Sequence, residues 1–300
     1  MSTLAQERVA DTTQRGVVGA LARLEAARLL RSPALWVGVV LTVAFSVASM
    51  QFPEDWSGAR YTVSPGLVGP LVICASFAVA SSFHRERVGL AADAPVGEAT
   101  RTLGRLTGAV VLIGVAAVLT AVGAMLVRTY GGLDLGDEPG RTLHAQFTAP
   151  EILQPVCLTA LAVGVGAAAG RRFQHRASAM LALFIGWFPF VGFSWAFQSA
   201  LVTPFSVVQV QPVSVEVGPV SADPLTFPAD WLLSAPGEFQ DHWARLFVSA
   251  RLAAGHDLWL IGLALLFVAL ALPRGARTWP TVIGGLLAVT GVVCQYLVIP

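Results

Sequence analysis

The sequence predicts an all-α integral membrane protein: a polytopic bundle of six to seven transmembrane helices with an N-terminal surface helix and a small extracellular insert. Of the 300 residues, 55% are hydrophobic and only 12% are charged, about half the charged fraction of an ordinary soluble domain. Seven apolar runs also hold no Asp, Glu, Lys, Arg or His, and a membrane-crossing helix needs about 20 mostly apolar residues. The runs are 34–50, 67–83, 106–127, 152–170, 177–197, 258–272 (extendable back to Gly255) and 281–299.

The chain divides into an N-terminal segment, 1–33, and a membrane domain, 34–300. Residues 15–32 have helix-forming composition, with Val17, Leu21 and Leu24 on one face. Because Ser32-Pro33 disfavours a continuous helix into the first run, we expect a helix on the cytoplasmic surface that turns into the bilayer. The alternative is a basic flank without a surface helix.

Arginine predicts the orientation. If odd-numbered runs cross outward, most arginines fall in cytoplasmic segments, and such a bias places the N-terminus in the cytoplasm. The protein is then a multi-pass protein of the cytoplasmic membrane, with an external C-terminus if all seven runs span. The cytoplasmic arginines would be Arg8, Arg15, Arg23, Arg28, Arg31, Arg85, Arg87, Arg101, Arg105, Arg171, Arg172, Arg176, Arg274 and Arg277.

The runs differ in composition. Small residues recur at four-residue spacing in the third, fourth and neighbouring segments, which indicates close helix packing within the chain or between subunits. The fifth run is aromatic and contains Pro189, so it fits either a kinked helix along a hydrophobic path or lipid contact. The four-residue series are Gly104 and Gly108, Ala116, Thr120 and Ala124, Ala160, Gly164 and Ala168, and Ala162, Gly166 and Gly170.

The largest external segment, 198–254, is the extracellular insert. Residues 208–217 alternate apolar and polar side chains, which predicts a strand with Pro212 at an edge. Phe239, Trp243, Leu246 and Ala250 lie at helical spacing and predict an amphipathic helix.

Several chemistries are excluded by absences. All 19 basic residues are arginine, so the sequence holds neither the lysine of a nucleotide-hydrolysing P-loop nor a Schiff-base amine. It has no C-x-x-C and no paired histidines of a metalloprotease, so no metal site is expected. Ser194 lies in a fragment resembling a nucleophile elbow, but the final glycine is missing, which favours a packing hydroxyl. We therefore expect no enzyme activity in this chain.

Three segments resemble the permease subunits of type-2 ABC exporters. They are EAARLLRSPALWVGVVLTVAF, SSFHRERVGLAADAPVGEATRTLGRLTG and HDLWLIGLALLFVALALPRGAR, which cover about 70 residues. The resemblance implies that 34–300 is a permease domain with a six-helix core, so the run 281–299 would be an addition to that core. It also implies an ATPase-docking loop, formed by Glu86, Arg87, Asp93, Pro95 and Arg101. The implied substrate path, along the second and fifth runs, is formed by Ser76, Phe77, Trp187, Phe190 and Ser194.

The expected function is therefore the membrane permease of an ATP-driven exporter of amphipathic or hydrophobic substrates. Its partners would be ABC ATPase subunits, a second permease copy or paralogue, and membrane lipid, with no nucleic acid. The chain itself would bind no cofactor, and ATP and Mg would sit on the partner ATPase. The alternative is a membrane scaffold or accessory subunit that does not transport.

Overall fold

The structure is a computed structural model that describes residues 2–51, 69–88, 96–132, 146–196, 199–208, 211–229, 231–238 and 240–300. For 2–15, 49–51, 85–88 and 190–196 it describes the backbone only. Helices make up 73% of the described residues. The eight helices in these ranges are α1 (Ser2–Leu30), α2 (Pro33–Gln51), α3 (Gly69–Val88), α4 (Glu98–Thr129), α5 (Ala149–Arg172), α6 (Arg176–Ala196), α7 (Ala250–Ala271) and α8 (Thr278–Tyr296).

Over the described residues, each of the seven apolar runs lies mainly on one of the helices α2 to α8, so the prediction of helices there is confirmed. Helices α4, α5, α7 and α8 are each long and apolar enough to cross a membrane, and the pair α1–α2, bent by 54°, would be a fifth. Helices α3 and α6 contain shorter apolar stretches in their described parts. These lengths and compositions are those of a multi-pass membrane protein.

Helices α1 and α2 meet at a corner. Helix α1 ends at Leu30 and α2 begins at Pro33, whose ring disfavours helical backbone at Ser32. Across the corner, the indole Nε1 of Trp36 donates a 2.8 Å hydrogen bond to the carbonyl oxygen of Leu30. The helix predicted over 15–32 is thus confirmed as a helix, whereas its place on the membrane surface stays a prediction.

Helix α5 lies at the centre of the bundle and packs against α3, α4, α6 and α7. The glycines of the predicted seams, Gly104, Gly108, Gly164, Gly166 and Gly170, lie at crossings of α5 with α3 and α7 and of α4 with α1. A Cβ atom at Gly108 would lie 2.7 Å from the carbonyl oxygen of Ala22 in α1, and one at Gly164 would lie 2.7 Å from that of Ala264 in α7. At these positions the seams therefore join helices of one chain.

Helices α7 and α8 form an antiparallel hairpin along their whole length. Gly262 of α7 faces Ala288 of α8, and Gly291 of α8 faces the backbone of Gly255. Where the hairpin turns, Arg277 donates hydrogen bonds to the carbonyl oxygens of Leu272 and Leu270, at 2.6 and 3.2 Å. A cation at the C-terminal end of a helix satisfies carbonyls that have no partner within the helix. The last apolar run is therefore a helix built into the bundle.

The insert contains a three-stranded antiparallel sheet, made of β1 (Val213–Pro219), β2 (Leu232–Ser234) and β3 (His242–Phe247) in the order β1-β3-β2. The predicted strand is confirmed for its second half. It begins directly after Pro212, and β1 is an edge strand, which suits a residue without an amide hydrogen.

The amphipathic helix predicted at the end of the insert is wrong. Residues 242–247 form β3, which pairs with β1 on one side and β2 on the other. Their burial follows a period of two, with Ala244 and Leu246 buried and Trp243 and Arg245 on the other face. Over so few residues a helical and an alternating pattern overlap, and pairing with two strands decided the outcome.

Candidate functional site

The two ends of the bundle differ in chemistry. At one end, Arg171 of α5 forms an ion pair with Glu98 at the start of α4. Nearby, the guanidinium of Arg105 in α4 lies 5.7 Å from the ring centroid of Phe83 in α3. At the opposite end of α5, Glu151 accepts a hydrogen bond from the insert. The arginine-rich end and the insert end are thus separated by the length of the bundle, as the alternation of arginines predicts.

Two predicted path residues, Ser76 of α3 and Trp187 of α6, contact each other. The indole Nε1 of Trp187 donates a 3.1 Å hydrogen bond to the hydroxyl oxygen of Ser76. That hydroxyl donates in turn to the carbonyl oxygen of Ile73 at 2.7 Å. Both side chains are buried, and a buried indole N–H needs such an acceptor. This hydrogen bond fixes α6 against α3 and closes the space between them.

The aromatic side chains of α6 divide between two environments. Trp187 is buried, whereas Phe184 and Phe188 are 61% and 77% exposed. An exposed phenylalanine on an apolar helix of this length fits lipid contact. Phe190 and Ser194, also predicted for the path, lie in the helical backbone of α6, but their side chains are outside the described residues.

Phe77 lies one residue after Ser76 and lines a different feature, a cavity of about 580 Å³ at the arginine-rich end. The cavity lies between the α1–α2 corner and the facing parts of α3 and α6. Its other lining residues are Arg28, Arg31, Ser32, Pro33, Ala34, Ala78, Ser81, Arg176 and Met180. Phe77 therefore belongs to a pocket that brings together arginines and apolar side chains.

The predicted docking loop joins α3 to α4. Helix α3 extends to Val88 and includes Glu86 and Arg87 in its backbone, and Arg101 lies in the first turns of α4. Asp93 and Pro95 lie outside the described residues. Both flanks of the loop are held to the bundle, since Arg105 stacks on Phe83 and Glu98 pairs with Arg171.

A buried polar network at the insert end was not foreseen. The Glu151 carboxylate accepts hydrogen bonds from the backbone N–H and the hydroxyl of Thr148, both at 2.6 Å. It also accepts one from the side-chain amide of Gln211, whose oxygen accepts from the backbone N–H of Ser249 at 3.1 Å. Gln211 therefore connects the first turn of α5 to the start of α7. The spacing Thr148-x-x-Glu151 is a sequence signal for part of this network, because it is typical of a capping box.

A second unforeseen feature is polar side chains inside α7 and α8. Helix α7 begins at Ala250, earlier than the predicted run, so it includes His256 and Asp257. The predicted run 258–272 itself holds no ionisable residue, but the helix that carries it does. His256 is fully buried, as is Gln295 of α8. The Gln295 amide donates to the carbonyl oxygens of Pro204 and Gly291, both at 3.2 Å.

These contacts attach the insert to three helices. Gln154 of α5 donates to the carbonyl oxygen of Val208 at 3.1 Å, and Trp259 of α7 donates to that of Ser206 at 3.2 Å. Together with Gln295, they satisfy carbonyls of the segment that leads into β1. Helix α8 therefore helps hold the insert.

No ligand set for a metal is formed within the described ranges, where no three His, Cys, Asp or Glu side chains converge. Cys74, Cys157 and Cys294 are free thiols on α3, α5 and α8. The chain matches no protein-family model and no curated protein. The resemblance to type-2 ABC exporter permeases accordingly stays a prediction.

Proposed function

We propose that this chain is a permease subunit of an ATP-driven exporter, in which α2 to α8 all span the membrane. The arginine-rich end faces the cytoplasm and the insert faces outward. A separate chain supplies ATP hydrolysis, because this sequence has no lysine for a P-loop.

The proposal rests on one observation: the helices on both sides of the α3–α4 loop contact each other and α5 close to the loop. Arg105 stacks on Phe83 at the end of α3, and Glu98 pairs with Arg171 at the end of α5. A partner that pushes on this loop would therefore move α3 and α4 together instead of bending a free segment.

Movement of α3 would act on the Ser76–Trp187 contact. Ser76, which accepts that hydrogen bond, lies on α3 about two turns from Phe83. The bond holds α6 against α3. Breaking one buried hydrogen bond costs about 0.5–1.5 kcal/mol. Displacement of the loop could thus open the space between α3 and α6.

The experiment compares three versions of the chain, each tagged and purified from its native membrane in mild detergent. They are the wild type, the double charge reversal Glu86→Arg with Arg87→Glu, and the control Glu238→Arg at an exposed position of the insert. The measurement is the ATP hydrolysis that co-purifies with each chain.

The proposal predicts that the loop variant loses the co-purifying hydrolysis while the wild type and the control keep it. Folding of each variant is checked by gel filtration. Equal hydrolysis in the loop variant and the control would contradict the docking role and favour the scaffold alternative.

A further inference from the structure

The cavity of about 580 Å³ beside Phe77 has an unbalanced positive charge. Three of its lining residues are arginines and none is a carboxylate. Among the residues that the structure describes, the ion pair of Arg28 is a long one, 3.8 Å, with the carboxylate of Glu25 on its own helix. Arg31 and Arg176 make no ion pair with any residue that the structure describes. Within the described part of the chain, Arg31 and Arg176 therefore have no acidic partner and can bind an anion.

Three helix ends also reach the cavity. The first residues of α2 and α6 line it, through Ala34 and Arg176, and so does the C-terminal end of α1, through Arg28. The first turn of a helix carries a partial positive charge and the last turn a partial negative one, so these contributions oppose each other. The arginines are therefore the groups that make the cavity suit an anion more than a neutral ligand.

Apart from Ser32 and Ser81, the rest of the lining is apolar. It consists of Phe77 and Ala78 of α3, Pro33 and Ala34 of α2, and Met180 of α6. A pocket lined by both guanidinium groups and hydrocarbon suits an amphiphile with an anionic headgroup. Its volume is within the usual range for small-molecule sites.

The cavity also lies where a lipid would reach it from the side. Helices α2 and α6 each pack on α3, but over their described parts they make no extensive contact with each other. Beyond the cavity, Val37 of α2 and Leu181 of α6 are exposed apolar side chains. Between these helices an acyl chain could extend from the cavity to the apolar surface of the bundle.

We propose that this cavity binds the phosphate-bearing headgroup of an anionic membrane lipid, with Arg31 and Arg176 on the phosphate and Phe77 and Met180 against the first part of the acyl chains. Arginine suits this ligand because its planar fork donates two hydrogen bonds to phosphate oxygens. The binding does not depend on the proposed transport function, since it would hold equally for a scaffold.

The test is native mass spectrometry of the full purified chain in detergent, titrated with phosphatidylglycerol, phosphatidylcholine or inorganic phosphate. The variant is Arg31→Gln with Arg176→Gln. Its control, Arg172→Gln with Arg251→Gln, removes the same charge from exposed positions outside the cavity. A further variant, Met180→Trp, keeps all arginines and fills the apolar part.

We expect one phosphatidylglycerol to bind more tightly than phosphatidylcholine. The cavity double variant should lose roughly 30-fold in affinity, from about fivefold per arginine near an anionic headgroup. The control should lose less than about threefold. Met180→Trp should weaken binding with its charges intact, and phosphate should not displace the lipid.

Three results would overturn the proposal. Equal losses in the cavity variant and its control would assign the effect to general surface charge. Displacement by inorganic phosphate at lipid-like concentration would indicate a free-anion site. Full binding by Met180→Trp would place the lipid elsewhere, and this variant keeps the test decisive if the arginine variant does not fold.

Discussion

Replacing Gly170 by alanine should destabilise the protein because α5 crosses α3 at this residue. A Cβ atom there would lie 2.6 Å from the carbonyl oxygen of Ala80 and 2.8 Å from the Cβ of Phe83. Ordinary van der Waals contact begins near 3.4 Å, so the helices would have to separate by several tenths of an ångström. The main obstacle is backbone, which cannot rotate away as a flexible side chain can.

The matched control is Gly114→Ala in α4, where a Cβ atom would meet nothing within 4 Å. Both variants gain helix propensity, up to about 1 kcal/mol relative to glycine. Their difference therefore isolates the overlap at Gly170, and overpacking of this kind costs about 1–3 kcal/mol. At about 2–4 °C per kcal/mol for a chain of this size, the melting midpoints should differ by about 2–12 °C.

The assay is thermal unfolding in detergent, followed with a thiol-reactive dye. Cys157 is 8% exposed in the folded protein. With the half-buried Cys74 and Cys294 replaced by serine in every version, its reaction reports loss of the α5 interfaces. Gly170→Ala should melt below Gly114→Ala by the stated interval. Equal midpoints for the two variants would refute the close crossing of α5 and α3.

Two further predictions use the same melting assay. Trp187→Phe removes the donor to Ser76 and should cost about 0.5–1.5 kcal/mol from the hydrogen bond, whereas Trp279→Phe, at a site 75% exposed, should leave the midpoint unchanged. Equal effects would argue against the α3–α6 contact. Gln211→Leu takes one donor from a buried carboxylate and one acceptor from a backbone N–H, which should cost about 1–3 kcal/mol. Gln174→Leu at an exposed turn is its control, and a midpoint unchanged by Gln211→Leu would contradict the bridge between α5 and α7.

The helices were predictable because burial in lipid acts on every residue of a run. Each apolar run lies on a helix, and Gly108 and Gly164 lie at helix crossings as their spacing indicated. Composition and small-residue spacing are local properties, so the sequence carries them directly.

The insert and the polar contacts depend on pairing between distant segments. Trp243 and Leu246 lie at helical spacing in the sequence, but they form part of β3, which pairs with β1 and β2. Gln211 reaches Glu151 and Ser249 across 60 and 38 residues, a separation no local pattern encodes. The cavity likewise combines arginines from α1 and α6, which only the folded bundle brings together.

The candidate substrate path, formed by residues of α3 and α6, was only partly predictable from the sequence. The resemblance assigned Ser76 and Trp187 to one substrate path, which stays a prediction, and the structure shows a hydrogen bond between them. The resemblance did not distinguish a closed contact from an open channel. It also placed Phe77 with them, whereas that side chain lines the arginine cavity.

The most direct test of the permease proposal is to identify which proteins co-purify with the tagged chain. The chain is extracted from its native membrane in mild detergent, and stoichiometric partners are sequenced by mass spectrometry. The proposal predicts an ATPase that carries the G-x-x-x-x-G-K-[ST] sequence missing from this lysine-free chain. Repeated absence of such a partner, with the protein folded and other partners retained, would contradict it.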